Sequence, residues 1–76
     1  MVTYEQAKEI AVKANKKVNT CNEYKKAYHF FKKLNEDEIV EGDNGVVVLK
    51  ENGRAINWIT FILDYHPEKN PKEIQF

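Results

Sequence analysis

The feature that most constrains the fold is an apolar run that leads into a turn signal. Residues 46–49 read Val-Val-Val-Leu, and Asn52-Gly53 follows before the chain continues into Ala55-Ile56. β-Branched residues favour strands, and Asn-Gly between two such segments is a strong short-range signal for a tight hairpin turn. The sequence therefore predicts two antiparallel strands joined at Asn52-Gly53. Because an isolated hairpin is marginal in water, we expect at least a third strand.

The length and the cysteine content restrict the class of protein. With 76 residues the chain is expected to form one small domain, residues 1–76. The single cysteine, Cys21, excludes an intramolecular disulfide, and small secreted domains usually need such cross-links. We therefore expect a cytoplasmic protein. We expect no signal peptide, and since no apolar stretch reaches about 20 residues, we expect no membrane insertion.

A helix is predicted near the N-terminus. Thr3 and Gln6 have the spacing of a capping box, in which each side chain bonds to a free backbone N–H at the start of a helix. The apolar residues that follow recur every three or four positions and form one helical face. These residues are Tyr4, Ala7, Ala11, Ala14 and Val18. The three alanines make this face thin, which suits close packing on a sheet.

Two segments fit both a helix and a strand. For residues 20–34 we predict a short helical turn at 20–26 and a strand at 27–32, whereas a capping box of Thr20 and Glu23 favours a second helix. For residues 55–65 we predict a strand, bent near Asn57. The alternative there is a short helix capped by Asn57, with Trp58, Ile59, Ile62 and Tyr65 facing inward.

Residues 72–76 alternate as a closing strand does. The combined prediction is an α+β fold in which the N-terminal helix packs on a small antiparallel sheet of three to five strands.

The charges are distributed unevenly along a chain whose net charge is zero. Residues 1–34 contain eight lysines and three glutamates, a net charge of +5. Residues 35–76 contain four basic and nine acidic residues, a net charge of −5. The molecule could therefore have two oppositely charged faces, or the two halves could interleave and cancel.

No set of residues has the pattern of a catalytic or metal site. Cys21, His29 and His66 are the only soft metal ligands, and their spacing is not that of a zinc site. The acidic residues at 36–43 resemble a calcium loop in composition only, because Ile39 stands where a ligand is required. The three glycines do not form a phosphate-binding loop. We therefore predict a protein without enzymatic activity, metal or cofactor.

Two groups of residues are candidate binding sites. The acidic group is expected to bind a basic protein partner and consists of Glu36, Asp37, Glu38, Glu41 and Asp43. The second group combines lysines with aromatic residues, as in grooves that bind single-stranded nucleic acid. It consists of Lys25, Lys26, Tyr28, Phe30, Lys32 and Lys33, within the lysine doublets of residues 16–33. The zero net charge disfavours nucleic acid, since such domains usually carry a basic excess.

The order of a Thr-x-x-Gln helix, an aromatic segment, an apolar strand and an Asn-Gly turn resembles small bacterial α+β domains, including toxin-immunity types. No motif is specific enough to assign residues from that resemblance. The predicted function is therefore a noncatalytic protein-interaction or regulatory module that binds an unknown protein or self-associates through a sheet edge. Single-stranded nucleic-acid binding is the alternative.

Overall fold

The fold is a five-stranded antiparallel sheet with one helix on each face. The computed structural model describes residues 1–32 and 45–74, and the strand order is β4-β3-β2-β1-β5. The elements are α1 (Tyr4–Ala14), β1 (Thr20–Glu23), β2 (Ala27–Phe31), β3 (Val46–Leu49), β4 (Ala55–Asn57), α2 (Trp58–Tyr65) and β5 (Lys72–Ile74). This arrangement confirms the predicted fold class.

The start of α1 has the capping box that the sequence predicts. The Gln6 N–H donates to the Thr3 Oγ1 at 3.2 Å, and the Thr3 N–H donates to the Gln6 Oε1 at 3.0 Å. Ala7 and Ala11 are completely buried against the sheet. Since alanine has no side chain beyond Cβ, the helix backbone can lie close to the strands. Ala14, in contrast, is exposed at the last residue of the helix.

The β3–β4 hairpin forms as predicted, but its loop has four residues rather than two. The Leu49 N–H donates to the Arg54 carbonyl at 2.9 Å, and the Gly53 N–H donates back to the Leu49 carbonyl at 2.8 Å. Only Gly53 is left-handed in this loop, with φ of 72°. The Asn52 Oδ1 instead accepts a hydrogen bond from the Arg54 N–H at 2.9 Å. A two-residue type I′ turn would have required positive φ at both central positions.

The predicted helical turn at residues 20–26 is wrong, whereas the strand predicted at 27–32 is confirmed as β2. Residues 20–23 form β1, which pairs with β2 from Thr20↔Phe31 to Glu23↔Tyr28 and with β5 on its other side. The position of β1 between two strands supplies partners for its backbone groups on both sides. This tertiary pairing outweighs the local capping signal of Thr20, which is buried in the strand.

The predicted strand over residues 55–65 is wrong beyond Asn57, and the alternative helix is present. The Asn57 Oδ1 accepts a hydrogen bond from the Thr60 N–H at 2.7 Å and so caps α2. His66 ends the helix in a left-handed conformation, with φ of 46°. The predicted closing strand is confirmed as β5 over its described residues.

Each face of the sheet carries its own hydrophobic core. On one face, α1 covers a cluster that includes Cys21, Tyr28 and Phe30. On the other face, α2 covers Tyr24, Leu49 and their neighbours. Within residues 1–32 and 45–74, no helix has the length and apolar character needed to cross a membrane.

Candidate functional site

The acidic binding group that the sequence predicts cannot be placed in the fold. Glu36, Asp37, Glu38, Glu41 and Asp43 all lie outside the described residues. Their expected contact with a basic partner stays a prediction.

The structure separates the members of the predicted lysine–aromatic group. Tyr28 and Phe30 are buried beneath α1, where their rings lie 5.6 and 6.0 Å from the ring of Tyr4. Burial raises the pKa of Tyr28 above its ordinary value. A nucleic-acid base could reach these two rings only if α1 were displaced. Both aromatic residues therefore serve the core in this structure.

The lysines of the same group lie at opposite ends of β2. Lys25 and Lys26 precede the strand and Lys32 follows it, and all three are exposed. Six positions of extended chain span about 20 Å, because a strand rises about 3.3 Å per residue. Lys33 lies outside the described residues. Among the lysines of this group that the structure describes, it thus brings together only Lys25 and Lys26.

Cys21 is a core residue of β1 and does not lie at a helix start. Burial, together with the nearby Glu23 carboxylate, raises the pKa of the Cys21 thiol to about 12, although Lys50 acts in the opposite direction. The group is therefore a neutral thiol near pH 7 and a poor nucleophile. Across the described residues, no cluster of three or more His, Cys, Asp or Glu side chains could hold a metal ion.

Within the described part of the chain, the two edges of the sheet offer little backbone for pairing with another chain. As described, the edge strands β4 and β5 have three residues each. Short edge strands are one of the ways in which proteins limit unwanted strand addition. The predicted self-association through a sheet edge therefore has few free backbone groups to use.

The outward face of α2 is an apolar surface that the sequence prediction missed. Phe61 attaches the helix to the sheet and is 1% exposed. Ile59 and Leu63 are 59% and 66% exposed, and Ile62 beside them is also exposed. Since side chains four positions apart lie on one helical face, Ile59 and Leu63 form a continuous apolar strip. We call Ile59, Ile62 and Leu63 the α2 ridge.

Shallow clefts include residues of α2 in their walls. One cleft, of about 460 Å³, includes Ile62 in its wall together with Tyr24 and Trp58. Two further clefts, of about 280 and 440 Å³, share Lys25, Lys26 and Tyr65 in their walls. We call this pair the lysine cleft. Ile62 of the α2 ridge thus shares a cleft with two aromatic side chains, whereas the lysine cleft meets α2 at Phe61 and Tyr65 and not at the ridge.

The sequence pattern of α2 does not identify this surface, because apolar residues surround most of the helix. For the alternative helix capped by Asn57, the sequence predicts four inward residues, Trp58, Ile59, Ile62 and Tyr65. The structure places Phe61 inward and both isoleucines outward.

Comparison of the chain with protein-family models, curated proteins and solved structures gives no match. The geometry of α2 and its surroundings is therefore the basis for assigning a function.

Proposed function

We propose that this protein is a noncatalytic protein-interaction module that binds another polypeptide through the α2 ridge. The observation that carries the proposal is the exposure of Ile59 and Leu63, at 59% and 66%, on a helix already attached to the sheet by Phe61. Covering apolar surface is favourable by about 25 cal/mol per Å². A regulatory role, such as immunity to a toxin, would use the same surface.

The contrast with α1 supports this proposal. The outward positions of α1 carry charged residues, including Glu5, Glu9 and Lys13, and its large apolar residue Val12 is only 36% exposed. That is the usual pattern of a helix that covers one face of a sheet. The outward face of α2 departs from this pattern. Ile59 and Leu63 are exposed and belong to neither side of the core, so packing on the sheet does not explain why they are apolar.

The α2 ridge is also held in position before any partner binds. The Asn57 side chain caps the first turn, and Phe61 packs edge-to-face on Tyr24 with ring centroids 5.4 Å apart. The Phe61 ring also lies 5.9 Å from that of Trp58. A preorganised surface loses less conformational entropy on binding than a segment that must fold first.

Site-specific photo-cross-linking in the native host tests the proposal. A benzophenone amino acid replaces Leu63 in one variant and Val12 in a matched control, because both positions carry exposed apolar side chains on helices. We expect a cross-linked polypeptide from position 63 that is lost on Ile59→Ser and is not obtained from position 12. Equal cross-linking from both positions, or none from position 63, would contradict the proposal.

A second candidate function is single-stranded nucleic-acid binding at the lysine cleft. Its support is that Lys25 and Lys26, which form no ion pair within the described residues, share the cleft with the partly exposed Tyr65. Glu51 and Glu68 also line these clefts and would repel phosphate, so this function ranks second. Binding of labelled oligothymidine at low salt that is lost on Lys25→Glu with Lys26→Glu would support it.

A further inference from the structure

We infer that the α2 ridge binds a second copy of this chain, with the two α2 helices packed antiparallel across a two-fold axis. This inference rests on the proposed function and specifies its partner. Two observations support it: the spacing of the apolar residues makes the α2 ridge complementary to itself, and the charged residue of α2 lies near one end of the helix.

The ridge is complementary to itself when the two helices run in opposite directions. Ile59 and Leu63 are one helical turn apart, and the residues between them, Thr60, Phe61 and Ile62, carry no charge. A two-fold axis between the two positions places Ile59 against Leu63 of the partner subunit, and the same contact is repeated on the other side. Each exposed side chain is thereby covered by an apolar one.

The charge on α2 selects the antiparallel direction. Asp64 is the only charged residue of the helix and lies in its last turn, where it faces the partial negative charge of the helix C-terminus. The last turn has no basic residue, and the first turn has no acidic one. Antiparallel packing brings Asp64 to the first turn of the other helix, where a carboxylate is favourable. Parallel packing would place two aspartates and two helix C-termini side by side.

The size of the surface sets the expected strength of the contact. An eight-residue helix is about 12 Å long, and a stable interface typically buries about 800 Å² on each partner. The α2 ridge, which consists of three side chains, is smaller than this. We therefore expect a dimer in rapid exchange, with a dissociation constant on the order of 100 μM.

Sedimentation velocity on the purified full chain tests the self-association. Over concentrations from about 10 μM to about 1 mM, the average mass should rise from 8.9 kDa towards twice that value. Leu63→Asp should keep the protein monomeric, whereas Val12→Asp on α1 should dimerise like the wild type. A wild-type protein that stays monomeric throughout, or a Val12→Asp variant that loses association as Leu63→Asp does, would overturn the inference.

Disulfide cross-linking tests the direction of packing. When Ile59→Cys and Leu63→Cys variants are mixed under mild oxidation, the antiparallel arrangement predicts that the cross-link between the two variants forms fastest. Faster formation of the Leu63→Cys homodimer would overturn it. Cys21 can be kept, because it is completely buried.

The failure of this inference and that of the proposed function are distinguishable. A monomeric protein that still cross-links from position 63 to a different polypeptide would overturn self-association and leave the proposed function standing.

Discussion

The orientation of α2 determines both the fold and the proposed interface, and truncation of Phe61 tests it directly. Phe61 is 1% exposed, and its ring centroid lies 5.4 Å from those of Tyr24 and Tyr65. Removal of a buried phenylalanine side chain typically costs 3–5 kcal/mol, of which the edge-to-face contact supplies about 1 kcal/mol. We therefore expect Phe61→Ala to lower the free energy of unfolding by about 4 kcal/mol.

Leu63→Ala is the matched control on the same helix. The Leu63 side chain is 66% exposed, so its truncation removes few contacts. Substitutions at such surface positions usually change the free energy of unfolding by no more than about 0.5 kcal/mol. The structure thus predicts a difference of at least about 2.5 kcal/mol between two truncations only two positions apart.

Urea denaturation measures both values with two probes. Trp58 is the only tryptophan, and its ring lies 5.9 Å from that of Phe61, so its fluorescence reports the docking of α2. Far-UV circular dichroism reports the whole fold. Phe61→Leu keeps part of the side chain and should lose about 1–2 kcal/mol, which keeps the comparison measurable if Phe61→Ala does not fold. Similar losses for Phe61→Ala and Leu63→Ala would refute the orientation of α2.

Three further predictions concern single residues. His66→Gly should stabilise the protein by about 0.5–1 kcal/mol, because His66 has a left-handed φ of 46° that glycine adopts more easily. Thermal denaturation measures this change, and an unchanged melting temperature would contradict the prediction. Gly45→Ala should destabilise the protein by at least about 2 kcal/mol, because a Cβ there would overlap the Phe30 carbonyl oxygen and the residue has a φ of 78°. The Cys21 thiol has a pKa of about 12 when folded and 9.0 ordinarily, so the unfolded chain loses this proton first. Stability should therefore fall as the pH rises from 9 towards 12, and Cys21→Ala should weaken that dependence in urea titrations; an unchanged dependence would contradict it.

The elements that were predicted correctly are those that a few residues close together in the sequence specify. The capping box of Thr3 and Gln6 fixes the start of α1, and the apolar run 46–49 with Gly53 produces the β3–β4 hairpin. The loop length was not predictable in the same way. Asn-Gly fits both a two-residue turn and the last half of a four-residue loop, and the choice depends on how Leu49 pairs with Arg54.

Tertiary contacts determine the secondary structure of the two segments whose sequence fits both a helix and a strand. Thr20 and Glu23 match a capping box, yet both lie in β1 because β2 and β5 provide partners on either side. Residues 55–65 are rich in strand-forming side chains, yet only three of them pair with β3. Beyond Asn57 the burial of Phe61 favours a helix across the sheet face. The local residue pattern does not indicate β1, and it indicates α2 only through the Asn57 cap.

The candidate site was less accessible from sequence than the fold. Lysine and aromatic residues alternate around β2, but the alternation of a strand sends Tyr28 and Phe30 to the face covered by α1. The α2 ridge could not be identified until Phe61 was known to point inward. In an apolar helix, the sequence does not say which side faces the sheet.

The stability of α2 is linked to the use of its outward face. A helix of eight residues is too short to be stable alone in water, and Trp58, Ile59, Thr60 and Phe61 are weak helix formers. Its helical state therefore depends on the Asn57 cap and on the docking of Phe61, while the outward Ile59 and Leu63 contribute little to either. Because a partner that covers these two side chains binds only the docked helix, binding and docking must reinforce each other. A partner that binds the exposed surface of α2 can thus stabilise the helix that depends most on its tertiary contacts.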